Sequence, residues 1–414
     1  MDLSFNCIVC KGRDCKRYCG TEHCPNCERY KVMFRSQELL KTDGFAGFSP
    51  TPFVGRQGYP KVNVGLLASP QEIYDRMSYD NPRRWAKEGF DIYKLVDIRS
   101  QLVNSRFRSD VFSARKQDKL LELSQEIGMS TRPVDVEVSL EKRPVFRLDF
   151  DGHAAPRGPS AALKNAVLTS NPHVDRKVER AVGDTDAKAV TALKELYGQG
   201  IDENRLSRLL SIGLLGMKKQ RKLVPTRWSI TAVDDTLGKE LLKKVRDFPS
   251  SGYSLLFGSF LGNHYLMLFF PDLWSYELFE MYVPDASMTP HFHHSTDFEP
   301  FEGRKRYAQE TAGGYYTVRL AILERLVRNR RQASVLALRF VTDDYTAPLG
   351  VWVTREASRK AMANRPLQFD SEEDLLAFAR DVAQRRFRVD ISEILKKSRL
   401  LVRMRTQKRL TGFF

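Results

Sequence analysis

The hydrophobic periods along this 414-residue chain predict an α+β fold with a mixed α/β core. Three observations carry that expectation. Helical and strand-like periods are interspersed without the strict alternation of a doubly wound sheet. The 42% hydrophobic and 11% aromatic fractions supply a sizeable core. All the cysteines sit at one end, which sets a small N-terminal segment apart from the rest. The chain therefore divides into an N-terminal zinc knuckle over 1–30, one large mixed core over 31–395, and an extended basic C-terminal tail over 396–414. At roughly 150 residues per domain the core has room for a subdivision near 175–225.

In chain order, residues 41–70 are rich in Gly and Pro interleaved with Phe45, Phe48 and Phe53, which reads as an ordered, loop-rich entry to the core. The run 61–67 alternates as a strand does. Helical periods mark 71–79, 113–127, 187–197, 203–215, 237–247, 315–331, 372–384 and 392–401. Strand-like runs mark 135–140, 144–150, 228–234, 253–260, 264–270, 276–283, 334–341 and 349–354. The segment 264–283 reads as a hairpin turning at Pro271-Asp272. The helices 187–197 and 203–211, joined through Gly198 and Gly200, fit a helix-turn-helix, though a helical hairpin packed on a sheet is the commoner use of such a pair. No repeat period and no low-complexity tract emerges.

Charge narrows the function classes. The 67 Lys+Arg outweigh 51 Asp+Glu, for a formal net charge of +16, and the pI is about 9.5. Such an excess favours a polyanionic partner such as nucleic acid. No apolar run approaches the ~18 residues of a spanning helix, and the charged, Cys-rich start is no signal peptide, so a cytoplasmic protein without membrane association is expected. The helix at 315–331 is expected to bury Tyr315, Val318, Ile322, Leu323, Leu326 and Val327 and to carry Arg319, Arg325, Arg328, Arg330 and Arg331 elsewhere on its surface. That is a candidate phosphate-contacting face, although a charge run also serves as a solvated one. Lys396 and Lys397, followed by Arg399, Arg403 and Arg405, give the tail a basic lead-in suited to a tether near DNA.

Cys7, Cys10, Cys15, Cys19, Cys24 and Cys27 follow the spacing C-x2-C-x4-C-x3-C-x4-C-x2-C. A disulfide framework would spread its cysteines through the fold. Two C-x-x-C turns instead present four thiolates to one tetrahedral zinc ion, so the best set on spacing alone is Cys7, Cys10, Cys24 and Cys27, with Cys15, Cys19 and His23 as further candidates. Four thiolates also suit an iron–sulfur cluster, but the paired spacing favours zinc.

Candidates for chemistry are thinner. His291 and His293 share a Pro-rich loop with His294, near Asp285, Asp297 and Glu299, a set that suits a divalent metal activating water for phosphodiester cleavage. Asp149 and Asp151 fall on one face of a strand-like run, and Asp235 ends another. Acidic residues at strand ends are more often turn formers or caps. No phosphate-binding G-x-x-x-x-G-K-[ST] loop and no G-x-S-x-G elbow is present.

The chain closes on Gln407-Lys408-Arg409-Leu410-Thr411-Gly412-Phe413-Phe414. Exposed Leu and Phe at a terminus are unusual, and in one helical turn Leu410 and Phe413 share a face beside Phe414. With Gln407 as polar locator they form an apolar plug that resembles the peptide by which replication and repair proteins dock on the sliding clamp, PCNA. A terminal segment folded back onto its own core is the alternative.

Longer motifs extend the likeness. Phe53-Val54-Gly55-Arg56-Gln57-Gly58-Tyr59-Pro60-Lys61-Val62, Pro156-Arg157-Gly158-Pro159-Ser160-Ala161, the segment Lys222–Asp235 and Glu310-Thr311-Ala312-Gly313-Gly314-Tyr315-Tyr316, together with the knuckle and the final peptide, resemble the archaeal Nre family of DNA repair proteins. The resemblance spans essentially the whole chain. It implies a cytoplasmic, nucleoid-associated archaeal protein acting in DNA damage repair through the clamp, with DNA and other repair proteins as partners, and it supplies no catalytic mechanism. The family's knuckle pattern matches Cys7, Cys10, Cys19-Gly20 and Cys24-Pro25, so Cys19 is the alternative fourth ligand to Cys27. Three functions are thus open: a DNA-binding repair factor recruited by the clamp, a metal-dependent nuclease on damaged DNA, and a non-catalytic adaptor between clamp and repair enzymes.

Overall fold

The computed structural model describes residues 43–116, 118–144, 158–283 and 294–406. The six cysteines, the strand-like run around 145–150 with Asp149 and Asp151, the residues His291 and His293, and the C-terminal plug lie outside them. The described residues form two compact units, one running up to Thr236 and taking in Thr346–Leu349, the other made of Leu237–Tyr345 and the chain from Gly350. Helices and sheets are mixed within them as expected for an α+β chain.

The first unit is built on a closed five-stranded barrel. Its strands are β1 (Gly44–Val54), β2 (Lys61–Ser69), β3 (Val103–Asp110), β4 (Val134–Leu140) and β5 (Ser160–Leu168), in the order β1-β2-β3-β5-β4. Only β3 and β5 run parallel. The segment expected as a loop-rich entry is thus the longest barrel strand. β1 serves two neighbours: Gly44–Ser49 pairs with β4, and the stretch from Thr51 to Val54 with β2, across an irregularity between Phe48 and Thr51. Pro50 and Pro52, which offer no N–H to a ladder, lie in or beside that irregularity. Gly47 is required by crowding, since a Cβ there would stand 2.1 Å from the Ser69 carbonyl oxygen.

Two helices, α1 (Pro82–Glu88) and α2 (Ile92–Ser100), separate β2 from β3. The helix expected over 71–79 is reduced to a short 3-10 turn, Arg76–Ser78, capped by Asp75. Between β3 and β4 lies α3 (Lys119–Met129), whose N-terminus is fixed by Asp118 accepting from Leu120 and Leu121 amides at 3.1 Å. Its Leu123 and Ile127 enter the barrel core with Leu66, Val136, Val138 and Leu163. Burying each such side chain contributes about 1.5–3 kcal/mol. After the barrel come α4 (Arg176–Gly183), α5 (Ala189–Gly198) and α6 (Glu203–Ser211); α5 packs on α6, and α6 on α3 and β1. The pair at 187–211 is therefore a helical hairpin against the barrel. The strand expected at 228–234 does not form, because those residues lie within a 20-residue helix, α7 (Thr226–Val245).

The second unit holds a six-stranded sheet of β6 (Tyr253–Phe260), β7 (Asn263–Phe270), β8 (Ser275–Tyr282), β9 (His294–Glu299), β10 (Ser334–Val341) and β11 (Leu367–Phe369), ordered β11-β6-β7-β10-β8-β9. β6 and β7 are joined by the two residues Leu261 and Gly262, at φ 50° and 70°, the left-handed geometry of a tight hairpin. β7 and β8 are not paired to each other. Every residue of β10 is buried, and the strand inserts between them, antiparallel to β7 and parallel to β8, which replaces the hairpin expected over 264–283.

Five helices complete this unit: α8 (Ala312–Asn329), α9 (Trp352–Ala363), α10 (Glu372–Phe387), α11 (Ser392–Lys397) and α12 (Arg399–Thr406). Leu266, Leu268, Phe270, Leu336, Leu338 and Phe340 of one sheet face pack with Leu375, Ala379, Phe387, Ile394 and Leu401 of α10–α12. Phe340 and Phe387 stack at 4.2 Å. α9 packs against β6 and β7, where Gly258 leaves room for the Ala361 backbone. The strand expected at 349–354 is instead the approach to and first turn of α9. Among the described residues no helix is long and apolar enough to cross a membrane.

Candidate nucleic-acid interface

The cationic helix singled out in the sequence is α8, and its start is set by a neighbouring strand. Asp297 of β9 accepts from the amides of Glu310 (3.0 Å) and Thr311 (2.8 Å) and from the Thr311 hydroxyl (3.0 Å). Arg304 balances that carboxylate at 2.8 Å. Two residues further along β9, the Glu299 carboxylate accepts from Trp274 Nε1 (3.0 Å), Tyr315 OH (2.6 Å) and Arg319 Nη1 (2.7 Å). Burial, with the Glu299 charge beside it, pushes the Tyr315 phenol well above its ordinary value and keeps it a donor.

These contacts correct two expectations. Arg319, read as part of an outward cationic face, is 1% exposed and ion-paired in the interior. Asp297 and Glu299, read as carboxylates beside the histidine loop, are turned to anchoring α8. A similar interior pair, Glu280 with Arg339 at 2.6 Å, is completed by Asn263 accepting from Arg339 Nε at 3.0 Å.

Arg325 also departs from the expected role. Its guanidinium donates to the carbonyls of Met362 and Asn364 and so ties α8 to the C-terminal end of α9. Burial, with Arg328 nearby, lowers its pKa, and the two carbonyls offset part of that cost. The exposed cations are the remaining three. α8 ends with Arg330 at φ 51°, the Arg330 and Arg331 amides closing onto Val327 and Leu326 carbonyls at 3.2 and 3.1 Å. Arg328, Arg330 and Arg331 point into solvent at a helix C-terminus, where the macrodipole favours positive charge. Beside them is an open hollow of about 750 Å³ lined by Lys244, Asp247, Phe248, Pro249, Asn329, Arg330 and Arg331. Its size and charge suit a phosphate backbone.

The basic lead-in to the tail is folded over its described part. Leu400 and Leu401 of α12 are buried, and the buried Glu277 accepts from the Ser398 hydroxyl (2.6 Å) and the Arg399 and Leu400 amides (3.1 and 3.0 Å). Lys396 pairs with Glu393 at 2.7 Å, Arg405 with Glu372 at 2.7 Å, and Lys397 is exposed. Part of the charge expected for DNA there is thus neutralised within the chain.

A second cationic surface lies on the barrel, where sequence reasoning placed nothing. Residues 103–110 form β3, and Arg106 and Arg108 project from it into solvent. The signal was the alternation of Ser105, Phe107 and Ser109 with Arg106 and Arg108, obscured by the polar inward serines.

Of the candidates for chemistry, Asp235 lies half-buried in the body of α7, not at a strand end. Asp149, Asp151, His291 and His293 lie outside the described residues, as do the candidate zinc ligands Cys7, Cys10, Cys19, Cys24 and Cys27. Among the described residues no group of three or more His, Cys, Asp or Glu side chains is placed to hold a metal ion.

Two family models cover nearly all of the sequence. That for the N-terminal part of archaeal Nre proteins matches residues 18–289, and that for the C-terminal part matches 299–413. The chain belongs to the archaeal Nre family. It is 36% identical over 381 residues to the DNA repair protein NreA of Haloferax volcanii, covering 90% of each chain. It is also 36% identical over 404 residues to the DNA repair protein NreB of Archaeoglobus fulgidus, covering 97% of this chain and 98% of that one. NreA of the same organism is 35% identical over 396 residues, 94% of this chain and 97% of its own. No solved structure matches the chain. In this Nre chain the join between the two family models falls around β9, inside the second structural unit.

Proposed function

We propose that this Nre protein is a cytoplasmic DNA repair factor, brought to DNA by the sliding clamp and holding DNA through its own exposed cations. The observation that supports the repair role is the 36% identity, over nine-tenths or more of both chains, to proteins named for DNA repair. The clamp reading rests on the pattern of Gln407, Leu410, Phe413 and Phe414. The plug's three apolar side chains suit a hydrophobic groove on a partner, and its adjacent Lys408 and Arg409 suit an acidic rim. Arg328, Arg330 and Arg331 around the basic hollow are the second unit's candidate contacts to DNA phosphates, with Lys397 as an outlier.

The knuckle's thiol donors suit zinc, with Cys7, Cys10 and Cys24 common to both ligand sets and Cys19 or Cys27 as fourth. Metal analysis should return about one zinc per chain, by four-ligand stoichiometry; iron in its place would contradict the assignment. The repair role is tested by deleting the gene in its host and restoring it. Survival after ultraviolet or alkylation damage should fall on deletion and return with the full chain. Survival indistinguishable from the parent under both treatments would refute it.

A further inference from the structure

The barrel order β1-β2-β3-β5-β4, with β3 and β5 parallel and α3 placed between β3 and β4, is that of the oligonucleotide/oligosaccharide-binding fold. Strand order alone assigns no ligand. The outward face of β1, β2 and β3 does more. The registers set Phe53, Gly65, Arg106 and Ala162 in one row across four strands, with Asn63 opposite Arg108 in the adjoining row. Phe53 is half-buried, while Arg106, Arg108 and Ala162 are exposed. A ring and a guanidinium therefore flank Gly65, which is itself buried.

The Asn104 amide covers Gly65. A Cβ there would lie 2.2 Å from Asn104 Oδ1. Asn104 is 8% exposed, and its Oδ1 has no hydrogen-bond partner among the described residues. The loop from β1 to β2 borders the same face. Gly58 lets the Arg108 guanidinium approach to 3.0 Å of where a Cβ would be. Tyr59 and Trp228, each 44% exposed, meet there with ring centroids 5.3 Å apart.

Exposed rings beside two exposed arginines suit unpaired bases and their phosphates. Duplex DNA hides its base faces and offers such rings nothing to stack on. We propose that the outward face of β1–β3, with the β1–β2 loop, binds single-stranded DNA. Arg106, Arg108 and Lys61 hold the backbone, and bases stack on Phe53, Tyr59 and Trp228. The choice of DNA over RNA rests on the repair role proposed above.

The test is fluorescence anisotropy of the full chain with a labelled single-stranded DNA of about 20 nucleotides, long enough for the usual site sizes, beside its duplex and the matching RNA. Wild-type protein should prefer single-stranded DNA. R106E/R108E should weaken that binding about tenfold or more and reduce the salt slope by roughly 1.4, two phosphate contacts at about 0.7 each. Trp228→Ala, which leaves the charge intact, should weaken it about fivefold or more without changing the slope. Wild-type affinity in both variants, each checked for an unchanged melting transition, would overturn the proposal. So would tighter binding to RNA, or an equal loss on the duplex. Clamp binding and damage survival are measured on the same variants. If single-strand binding fails while those persist, the barrel site alone falls.

Discussion

Glu299 of β9 and Arg319 of α8 form a 2.7 Å ion pair, with side chains 0% and 2% exposed. Trp274 and Tyr315 also donate to the carboxylate. The pair fastens the helix to the sheet from inside. Removing one partner strands the other charge in an apolar interior, a loss of about 3–5 kcal/mol. Arg319→Met should therefore lower the unfolding free energy by that amount, read as a shift of the denaturant midpoint at unchanged m, and adding Glu299→Gln should recover much of it. A single variant as stable as wild type would show that the pair is not buried as described.

The arginines of α8 should divide into two classes. Arg330→Ala with Arg331→Ala should weaken duplex DNA binding and flatten its salt dependence by about 1.8, since each phosphate contact contributes about 0.9 to the slope. Stability should barely change, because both side chains are exposed. Arg325→Ala should do the reverse: it loses the tie to the Met362 and Asn364 carbonyls, at about 1–3 kcal/mol, with DNA affinity little altered. Equal effects of the two changes on DNA affinity would remove the hollow as the contact surface.

His264 carries a pH signature. It packs against Phe387 and Phe257, with centroids 5.2 and 6.4 Å away. Burial lowers its pKa from 6.5; Asp344 opposes the shift and Arg386 adds to it. The unfolded chain therefore takes up the proton more readily than the folded one. The stabilisation is present above the unfolded value and lost as pH falls through the folded one. Wild type should lose more stability than His264→Phe on going from about pH 7 to pH 5, across the ordinary histidine range. Parallel stability–pH curves for the two proteins would contradict this.

How far the fold could be read from sequence depended on how local its causes are. The strands at 253–260, 264–270 and 334–341 were legible because buried strands are continuous apolar runs. Their order was not. β10 is inserted between β7 and β8 by contacts more than fifty residues apart in the chain, for which no local turn gives a sign. Residues 228–234 look like a strand because Trp228, Ile230, Thr231 and Val233 favour one, yet they lie in a helix that continues for 20 residues. β1 was hidden by Pro50, Pro52 and Gly47, residues that weaken an ordinary strand but suit this irregular one. The cationic end of α8 was legible, whereas the inward turn of Arg319 depended on Glu299, twenty residues earlier. The barrel's Arg106 and Arg108 were missed because inward serines mask the period of β3.

The proposed recruitment by the clamp is decided by calorimetric titration of the purified clamp ring with the full chain and with F413A/F414A. Saturable binding is expected of the wild-type protein and none of the double variant, with identical melting of both, since under the proposed docking the three apolar side chains would supply most of the binding energy. Undiminished binding by the double variant, or no binding by the wild-type chain, would contradict it.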